Sequence, residues 1–462
     1  MRQSLYGLSA FFDVATRDDY VPVVGLGERS RAFEAQAGVT AGYDSCVHRD
    51  DDCILAKLRG AAAASASTTS MADGLRPRAL RWEIHRSMSI ETQRPTVAEI
   101  DLGALRSNFR ALRAVASHGE LMVVVKADAY GHGAVTVART LIDEGCRHFG
   151  VATLDEARDL REAGVRTRVY LQAGFFAEQA AEIVALDLTP FVFDATMIGL
   201  LDRAAASAGR HDFPIHVKID SGATRLGVMP ADIPDLIEAV RSASAVRLEG
   251  LCTLLANAGD PKSPITDAQL SVFNQAIETF KAAGMRPSVI HVANSAALVL
   301  RYDSHFNLAR PGLAIYGLPP VAAVRERVEL QPVMTFKTRL MQIKRAPAGS
   351  GVGYGHTFVA PRESLIGVLP VGYADGYRRG LQHGGEVIVR GARAPVVGAV
   401  SMDLTTIDIT DIGGASVGDE VILWGESGAE VISVNDVARL AQTISYEMLC
   451  TVGKRVPRII RS

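Results

Sequence analysis

Lys126 closes the run Leu121-Met122-Val123-Val124-Val125-Lys126, and the small, glycine-bearing segment Ala127-Asp128-Ala129-Tyr130-Gly131-His132-Gly133 follows it. The apolar run, mostly β-branched, reads as a strand buried on both faces. A lysine at the mouth of such a strand is expected to be poorly solvated, which favours its neutral amine. That is the state a Schiff-base lysine needs, whereas the plainer reading is a strand-end lysine reaching out to water. Arg225, Asn294-Ser295 and Arg310-Pro311-Gly312 also stand where apolar strand-like runs end. Ser295 opens a helix, where backbone N–H groups are free, and Gly312 permits close backbone approach. Taken singly, Asn294-Ser295 reads as a helix N-cap. Such groups act together only if the fold brings several strand ends to one face.

The pattern around Lys126 supplies that fold. Strands are predicted at 121–126, 148–152, 168–172, 188–193, 214–220, 246–253, 288–293 and 306–309, and each of the first seven leads into a helix. Strand–helix alternation implies parallel pairing through right-handed crossovers. Eight such units in about 220 residues fit a closed (β/α)8 TIM-type barrel, whose catalytic groups collect at the strand C-termini. An open doubly wound sheet would want a glycine-rich dinucleotide turn after its first strand, and Gly131-His132-Gly133 does not supply it. Upstream, the spacing of Ile100, Leu102, Leu105, Phe109 and Leu112 predicts an amphipathic helix over 96–115. Past Gln331 the pattern changes to strands at 333–343, 365–371, 386–389, 394–400, 405–409 and 421–424, with helices at 434–441 and 446–450. The expected organisation is therefore an irregular extension over 1–93, a barrel over 94–330 and a mainly antiparallel β domain over 331–462.

Composition narrows the class. The 462 residues are 48% hydrophobic and 22% charged, an ordinary globular mixture, and the formal net charge of −2 argues against general nucleic-acid binding and a polybasic membrane surface. No apolar run reaches the roughly 18 residues of a membrane span. Five scattered cysteines, Cys46, Cys53, Cys146, Cys252 and Cys450, show no metal spacing and fit a reduced, cytoplasmic setting. The N-terminus lacks the order of a signal peptide. Gly60 to Ser70 is low-complexity, and Met88 stands just before regular structure begins, so translation from Met88 is one reading of the extension.

A lysine after the first barrel strand, facing an anion cradle after strands seven and eight, points to pyridoxal phosphate. Here the chain resembles the alanine racemase family. Val125 to Gly133 is similar to that family's cofactor-attachment motif, and Lys218-Ile219-Asp220-Ser221-Gly222-Ala223-Thr224-Arg225-Leu226-Gly227 to its carboxylate-binding segment. Ala293 to Ala296 and Asn307 to Gly317 resemble its phosphate and pyridine segments. In the second domain Gly353-Tyr354-Gly355, Pro370 to Tyr377, Ser401-Met402-Asp403 and Ser445-Tyr446-Glu447 match as well, in the family's order from about Pro95 to the end.

The resemblance implies a role for each position. Lys126 would carry the cofactor as an imine and act as the base toward D-alanine, with Tyr354 as the second base toward L-alanine. Arg225 would position Tyr354 and the substrate carboxylate; in some members the residue matching Lys218 is carbamylated and holds that arginine, which leaves modification of Lys218 open. Arg310 would donate to the pyridine nitrogen; a guanidinium does not readily yield a proton, so the ring stays a weaker electron sink. Tyr130, Asn294, Ser295, Gly312, Leu313 and Tyr446 would hold the cofactor, and Met402 and Tyr373 would shape the substrate pocket. Tyr354, Tyr373 and Met402 would reach a partner's site, which implies a homodimer with shared sites. His132 is read as a cap for its helix and His291 as a satisfied core residue. No metal is expected.

The chain departs from the pattern at Leu254, where a ring-stacking histidine is usual, at Ala223-Thr224, and at Ser401 in place of a frequent cysteine. The expected activity is interconversion of L- and D-alanine for peptidoglycan synthesis. The alternatives are a racemase of broader specificity, or a weakly active or non-catalytic pyridoxal-phosphate protein because of Leu254. A decarboxylase on the same kind of fold is disfavoured by Tyr354 and Arg225.

Overall fold

The computed structural model describes residues 94–116 and 119–462. The expected extension over 1–93, with Cys46, Cys53, the 60–70 stretch and Met88, lies outside them.

The first described strand, β1 (Val97–Asp101), corrects the helix expected from residue 96. Asp101 ends it and starts the helix Leu102–Val115 by accepting from the Ala104 N–H at 2.8 Å. Leu102, Leu105, Phe109 and Leu112 do lie on that helix's buried face, but Ile100 belongs to the strand before it. The barrel follows as β2 (Glu120–Val124), β3 (His148–Val151), β4 (Arg168–Leu171), β5 (Thr189–Val192), β6 (Phe213–Lys218), β7 (Val246–Cys252), β8 (Val289–His291) and β9 (Leu308–Ala309). All their ladders are parallel, in the order β8-β7-β6-β5-β4-β3-β2-β9. The ring closes through a parallel bridge between Asn294 and Arg310, with the Arg310 N–H donating to Ala293 O at 2.8 Å. The two residues that close the barrel are thus two of the expected site residues.

Strand alternation sorts the barrel's two faces. On β6, Ile215 and Val217 join the large apolar core, while His216 and Lys218 are buried polar groups on the other face. The interior holds Met122, Tyr170, Phe191, Cys252 and Leu308, with the Phe191 and His216 rings stacked 5.9 Å apart. Gly250 makes the room for His216: a Cβ there would lie 2.5 Å from the imidazole.

The C-terminal strands are β10 (Met334–Arg339), β11 (Gln342–Ala346), β12 (Gly351–Val352), β13 (Phe358–Val359), β14 (Ser364–Leu369), β15 (Glu386–Val389), β16 (Ala392–Pro395), β17 (Thr405–Asp408), β18 (Glu420–Ser427), β19 (Glu430–Ile432) and β20 (Arg458–Arg461). The single strand expected over 333–343 is two, because the chain passes from one sheet to another at Leu340-Met341: Leu340 N–H donates to Asp419 O and Met341 N–H to Val368 O, both at 2.9 Å. The larger sheet runs β16-β15-β18-β10-β1-β20, with β19 on β18, and the smaller runs β11-β14-β17. So β1, upstream of the barrel in sequence, sits between β10 (antiparallel) and β20 (parallel) in the second domain's sheet.

Asn108 pins the crossing between the two domains. Its fully buried amide donates to Ile315 O at 3.1 Å and Gln331 O at 2.8 Å and accepts from the Gln331 N–H at 2.8 Å. Asn108→Ala leaves those groups without partners and is expected to cost about 1–3 kcal/mol in urea unfolding. Asn108→Asp, with a carboxylate facing two carbonyls, is expected to cost more at pH 8 and to recover as the pH falls. Equal midpoints for the two variants at pH 8 would contradict this account.

Candidate functional site

Beyond β2 the backbone turns left-handed. Ala127, Asp128, Ala129 and Tyr130 all have φ between 51° and 55°, so Lys126–Gly131 closes as a short helical turn of the opposite hand. Left-handed helix costs L-residues about 1–2 kcal/mol each, so this turn persists only because its surroundings over-determine it. The Ala129 N–H donates to Val125 O at 2.8 Å, and the Gly133 N–H to Asp128 O at 2.9 Å. Asp128, rather than His132, caps the next helix (Ala134–Asp143), accepting from the Ala134 N–H at 2.7 Å. The His132 Nδ1 instead faces Ala129 O and Tyr130 O at 2.9 Å, and its ring stacks 4.5 Å from Tyr316. Burial pulls His132 down to about 4, so it is neutral at physiological pH. Lys126 itself is exposed, which corrects the expectation of a poorly solvated strand-end amine: it stands past Val125, where the barrel opens.

The cradle next to this turn is made by Tyr130, Ser295, Gly312 and Tyr446. Tyr130 is buried against the rings of Tyr316 (5.2 Å) and Tyr446 (5.7 Å). Burial pushes the phenols of Tyr130 and Tyr446 up, so both remain protonated donors. Gly312 is required here: a Cβ would sit 2.6 Å from the Tyr130 hydroxyl. Leu313 is buried beside it. Asn294 is the N-cap expected of it taken singly, accepting from Ala296 at 3.1 Å and Ala297 at 3.0 Å. Ser295 Oγ accepts from the Gly312 N–H at 2.9 Å, which joins the loops after β8 and β9.

Arg310 is buried at the head of a polar chain through the barrel. Its Nη1 lies 2.7 Å from both His291 O and His291 Nδ1, and its Nη2 donates to Thr253 O at 2.6 Å and Val292 O at 3.1 Å. A guanidinium only donates, so His291 Nδ1 accepts and the proton sits on Nε2. That Nε2 is 2.7 Å from His216 Nδ1, and His216 Nε2 is 3.2 Å from Glu249 Oε2. The direction is therefore fixed from end to end: arginine to histidine to histidine to carboxylate. Burial holds both histidines below their ordinary value, in the neutral form that this chain requires. Burial works to raise Glu249, but His216 and Arg168 hold it well below the carboxylate range. The expectation that His291 is a satisfied core residue holds, yet it reaches the site. Sequence patterning does not single out His216 and Glu249; the one signal available is the i, i+2 spacing of His216 and Lys218 on one strand face.

Lys218 is buried, and burial lowers it; of its charged neighbours, Cys252 opposes this while Arg310, Arg225 and Lys126 add to it. Four cationic side chains thus converge on one end of the barrel. Arg225 is exposed on a loop organised by Asp220, whose Oδ1 accepts from the N–H groups of Gly222 (3.0 Å), Ala223 (2.9 Å) and Thr224 (3.0 Å) and whose Oδ2 accepts from Arg225 (3.0 Å). Burial works against the Asp220 charge, and the four donors outweigh it, lowering its pKa. At Leu254 the side chain is half-buried, and its carbonyl accepts from Gln269 Nε2 at 2.8 Å. Arg310 keeps partners on both terminal nitrogens without a histidine there.

Three second-domain residues, Tyr354, Tyr373 and Met402, form a separate patch. Tyr354 is 77% exposed, Met402 53% and Tyr373 45%. They line an open concavity of about 720 Å³ with Arg379, Ser401 and Leu404, and no described barrel residue borders it. Within one chain, then, Lys126, Tyr130, Arg225, Arg310 and Tyr446 are gathered at the barrel, while Tyr354, Tyr373 and Met402 face outward. Tight backbone contact orders the patch: the Tyr373 N–H donates to Ser401 O and Ala374 N–H to Met402 O, both at 3.1 Å. A Cβ at Gly372 would meet those two carbonyl oxygens at 2.3 and 2.4 Å.

Comparison with known proteins gives one answer over both domains. A family profile for the alanine racemase N-terminal domain matches residues 100–320, and one for the alanine racemase C-terminal domain matches 333–460. An alanine racemase of Symbiobacterium thermophilum is 40% identical over 371 residues, spanning 80% of this chain and 98% of that protein. One from Sorangium cellulosum is 39% identical over 378 residues, 80% of this chain and 99% of its own. The crystal structure of alanine racemase from D-cycloserine-producing Streptomyces lavendulae superposes with a TM-score of 0.77 at 36% identity, covering 80% of this chain and 98% of that one. The Bacillus anthracis alanine racemase with bound L-Ala-P gives 0.75 at 32% identity, covering 80% and 95%. The chain belongs to the alanine racemase family.

Proposed function

We propose that this enzyme interconverts L-alanine and D-alanine with pyridoxal phosphate held at the barrel mouth, and that it works as a homodimer in which Tyr354 and Tyr373 complete the partner's site. The observation that carries the reading is the convergence of Lys126, Lys218, Arg225 and Arg310 beside the phenols of Tyr130 and Tyr446. So much positive charge in one place calls for anions, and a phosphate and a substrate carboxylate are two. The residues fit this cofactor: Gly312 leaves the space a Cβ would fill beside the Tyr130 hydroxyl, and the buried, protonated Tyr130 phenol is a donor suited to phosphate oxygens.

When bound, pyridoxal phosphate supplies an electron sink for the carbon that loses its proton. Lys126 would hold it covalently, and Tyr130, Ser295, Gly312, Leu313 and Tyr446 would hold its phosphate end. Arg310, whose Nη groups are taken up by His291, Thr253 and Val292, would present its remaining donor to the ring nitrogen and keep that nitrogen unprotonated. Arg225 would take the substrate carboxylate, with Met402 and Tyr373 bounding the pocket. Racemisation needs proton transfer at both faces of a planar carbon, and one side chain does not reach both. Lys126 would serve one face and Tyr354 of a second copy the other; the outward exposure of Tyr354, Tyr373 and Met402 supports that division. The free cysteines among the described residues, Cys146, Cys252 and Cys450, suit a reducing cytoplasm, and D-alanine for peptidoglycan is the proposed use of the product.

Optical rotation during turnover of L-alanine and D-alanine tests the reading. Lys126→Ala is expected to lose turnover in both directions, and Tyr354→Phe to lose about 10²–10⁴ in kcat/KM from both enantiomers, since the two directions share one path and an equilibrium constant of one. Full activity of Tyr354→Phe would end the two-base assignment, and equal turnover of L-serine would make the enzyme a broader racemase. Asp220→Asn places an amide N–H against the Arg225 N–H. It is expected to raise KM for alanine by about tenfold with kcat changed less, because it disorders the carboxylate-binding loop rather than the bases. Leu254→His is expected to alter cofactor affinity or kcat. If both stay as they are, Leu254 has no part in this site.

A further inference from the structure

The turn that carries Lys126 has two ends, and each is held by a charged side chain from elsewhere. At its start the Ala127 N–H donates to Glu156 Oε1 at 2.6 Å. The other oxygen of Glu156 accepts from Ala152 at 2.7 Å and Thr153 at 3.2 Å, at the opening of the helix Leu154–Glu162 after β3. At its finish Gly131 O accepts from Arg458 Nε at 2.9 Å. The rest of the Arg458 fork reaches Gly453 O, Val456 O and Val452 O, each at 2.7 Å. Arg458 opens β20, beside β1, and the helix Ser445–Cys450 packs against the same turn: a Cβ at Gly131 would lie 2.4 Å from Leu449 O.

We propose that Glu156 and Arg458 are positioning residues for Lys126, bracing the left-handed Lys126–Gly131 turn at its donor end and its acceptor end. The arrangement follows from the turn's own dipole. All N–H groups in a single helical turn of either hand point one way, so a carboxylate suits the N–H end and a guanidinium the carbonyl end. A backbone of four consecutive non-glycine residues at positive φ relaxes when such anchors are removed. Because Lys126 is the first residue of the turn, relaxation moves the amine. The proposal rests on Lys126 being the cofactor-bearing lysine, but the bracing itself does not depend on any activity.

The test uses the full chain, first without and then with added pyridoxal phosphate. In Arg458→Lys and Glu156→Gln, hydrogen exchange at residues 127–134 is expected to quicken by about tenfold or more, while amides of β4 and β6 keep their rates. Arg458→Met should exceed Arg458→Lys, since an ammonium still reaches one carbonyl. Unchanged exchange at 127–134, or an equal rise throughout the barrel, overturns the proposal, and neither outcome depends on racemisation. With the cofactor, the pH midpoint of the visible imine absorbance should shift, and kcat for alanine should fall with KM held within about threefold. An unaltered pH midpoint alongside looser exchange also overturns it, because the brace would then hold the backbone without placing the amine. Exchange that loosens as expected in a chain that does not racemise alanine would retain the brace and reject the proposed function.

Discussion

Positive charge at one end of the barrel is the constraint from which the rest of the site follows. Lys126, Lys218, Arg225 and Arg310 come from the ends of β2 and β6, the loop after β6, and β9. Like charges this close repel, and the fold answers in different ways. Lys218 is lowered by burial and by its neighbours, so its charge is the one most readily given up. Arg310 keeps its charge because a guanidinium does, and it exports hydrogen bonds down a chain that ends on a carboxylate. Arg225 stays in solvent, on a loop that one aspartate has gathered. Of the four, Lys126 and Arg225 are exposed, while Lys218 and Arg310 are buried.

The chain from Arg310 to Glu249 gives the barrel interior a polarity that packing alone does not explain. Each histidine both accepts and donates, so a proton gained by either one would set two donors against each other. Both are buried and held neutral, which removes that conflict over the ordinary pH range. Glu249, anchored by Arg168 and by Arg247 Nη2 at 3.2 Å, supplies the fixed acceptor that sets the direction. A buried charge is costly unless paired, and here the carboxylate is paired at the far end of the barrel from the cations it serves. The result is an arginine whose orientation is set by the barrel core, so Leu254 in place of a histidine leaves its hydrogen bonds intact.

The alternation of strands and helices made the barrel legible, because strand-end positions follow directly from it. So did the break near Gln331. What the sequence concealed was tertiary. Periodicity assigns Ile100 to a helix because strand and helix spacing coincide over so few residues; only the pairing of β1 with β10 and β20 separates them. Within the strand expected over 333–343, nothing local marks the change of sheet at Leu340. At the site, the motif residues are readable one by one, but their supports are not. Glu156 looks like a capping-box residue, which it is, and its second contact depends on β3 lying beside β2. His216 and His291 stand 75 residues apart and meet only inside a closed barrel.

The site residues of the barrel are also less self-sufficient than a barrel-only reading implies. Tyr446, against Tyr130, and Arg458, on Gly131, both come from the last part of the chain, and β20 lies beside β1. The first and last described strands are therefore neighbours, and the lysine turn is packed from outside the barrel by the residues that join them. A barrel cut at residue 330 would retain Lys126, Arg225 and Arg310 but would lose the phenol facing Tyr130 and the guanidinium on Gly131. It would also expose the face of the helix Leu102–Val115 that Asn108 ties to Gln331. The turn's left-handed backbone, unfavourable in isolation, would then have to survive on Glu156 and its internal bonds alone. The second domain is thus packed directly against the turn that carries Lys126.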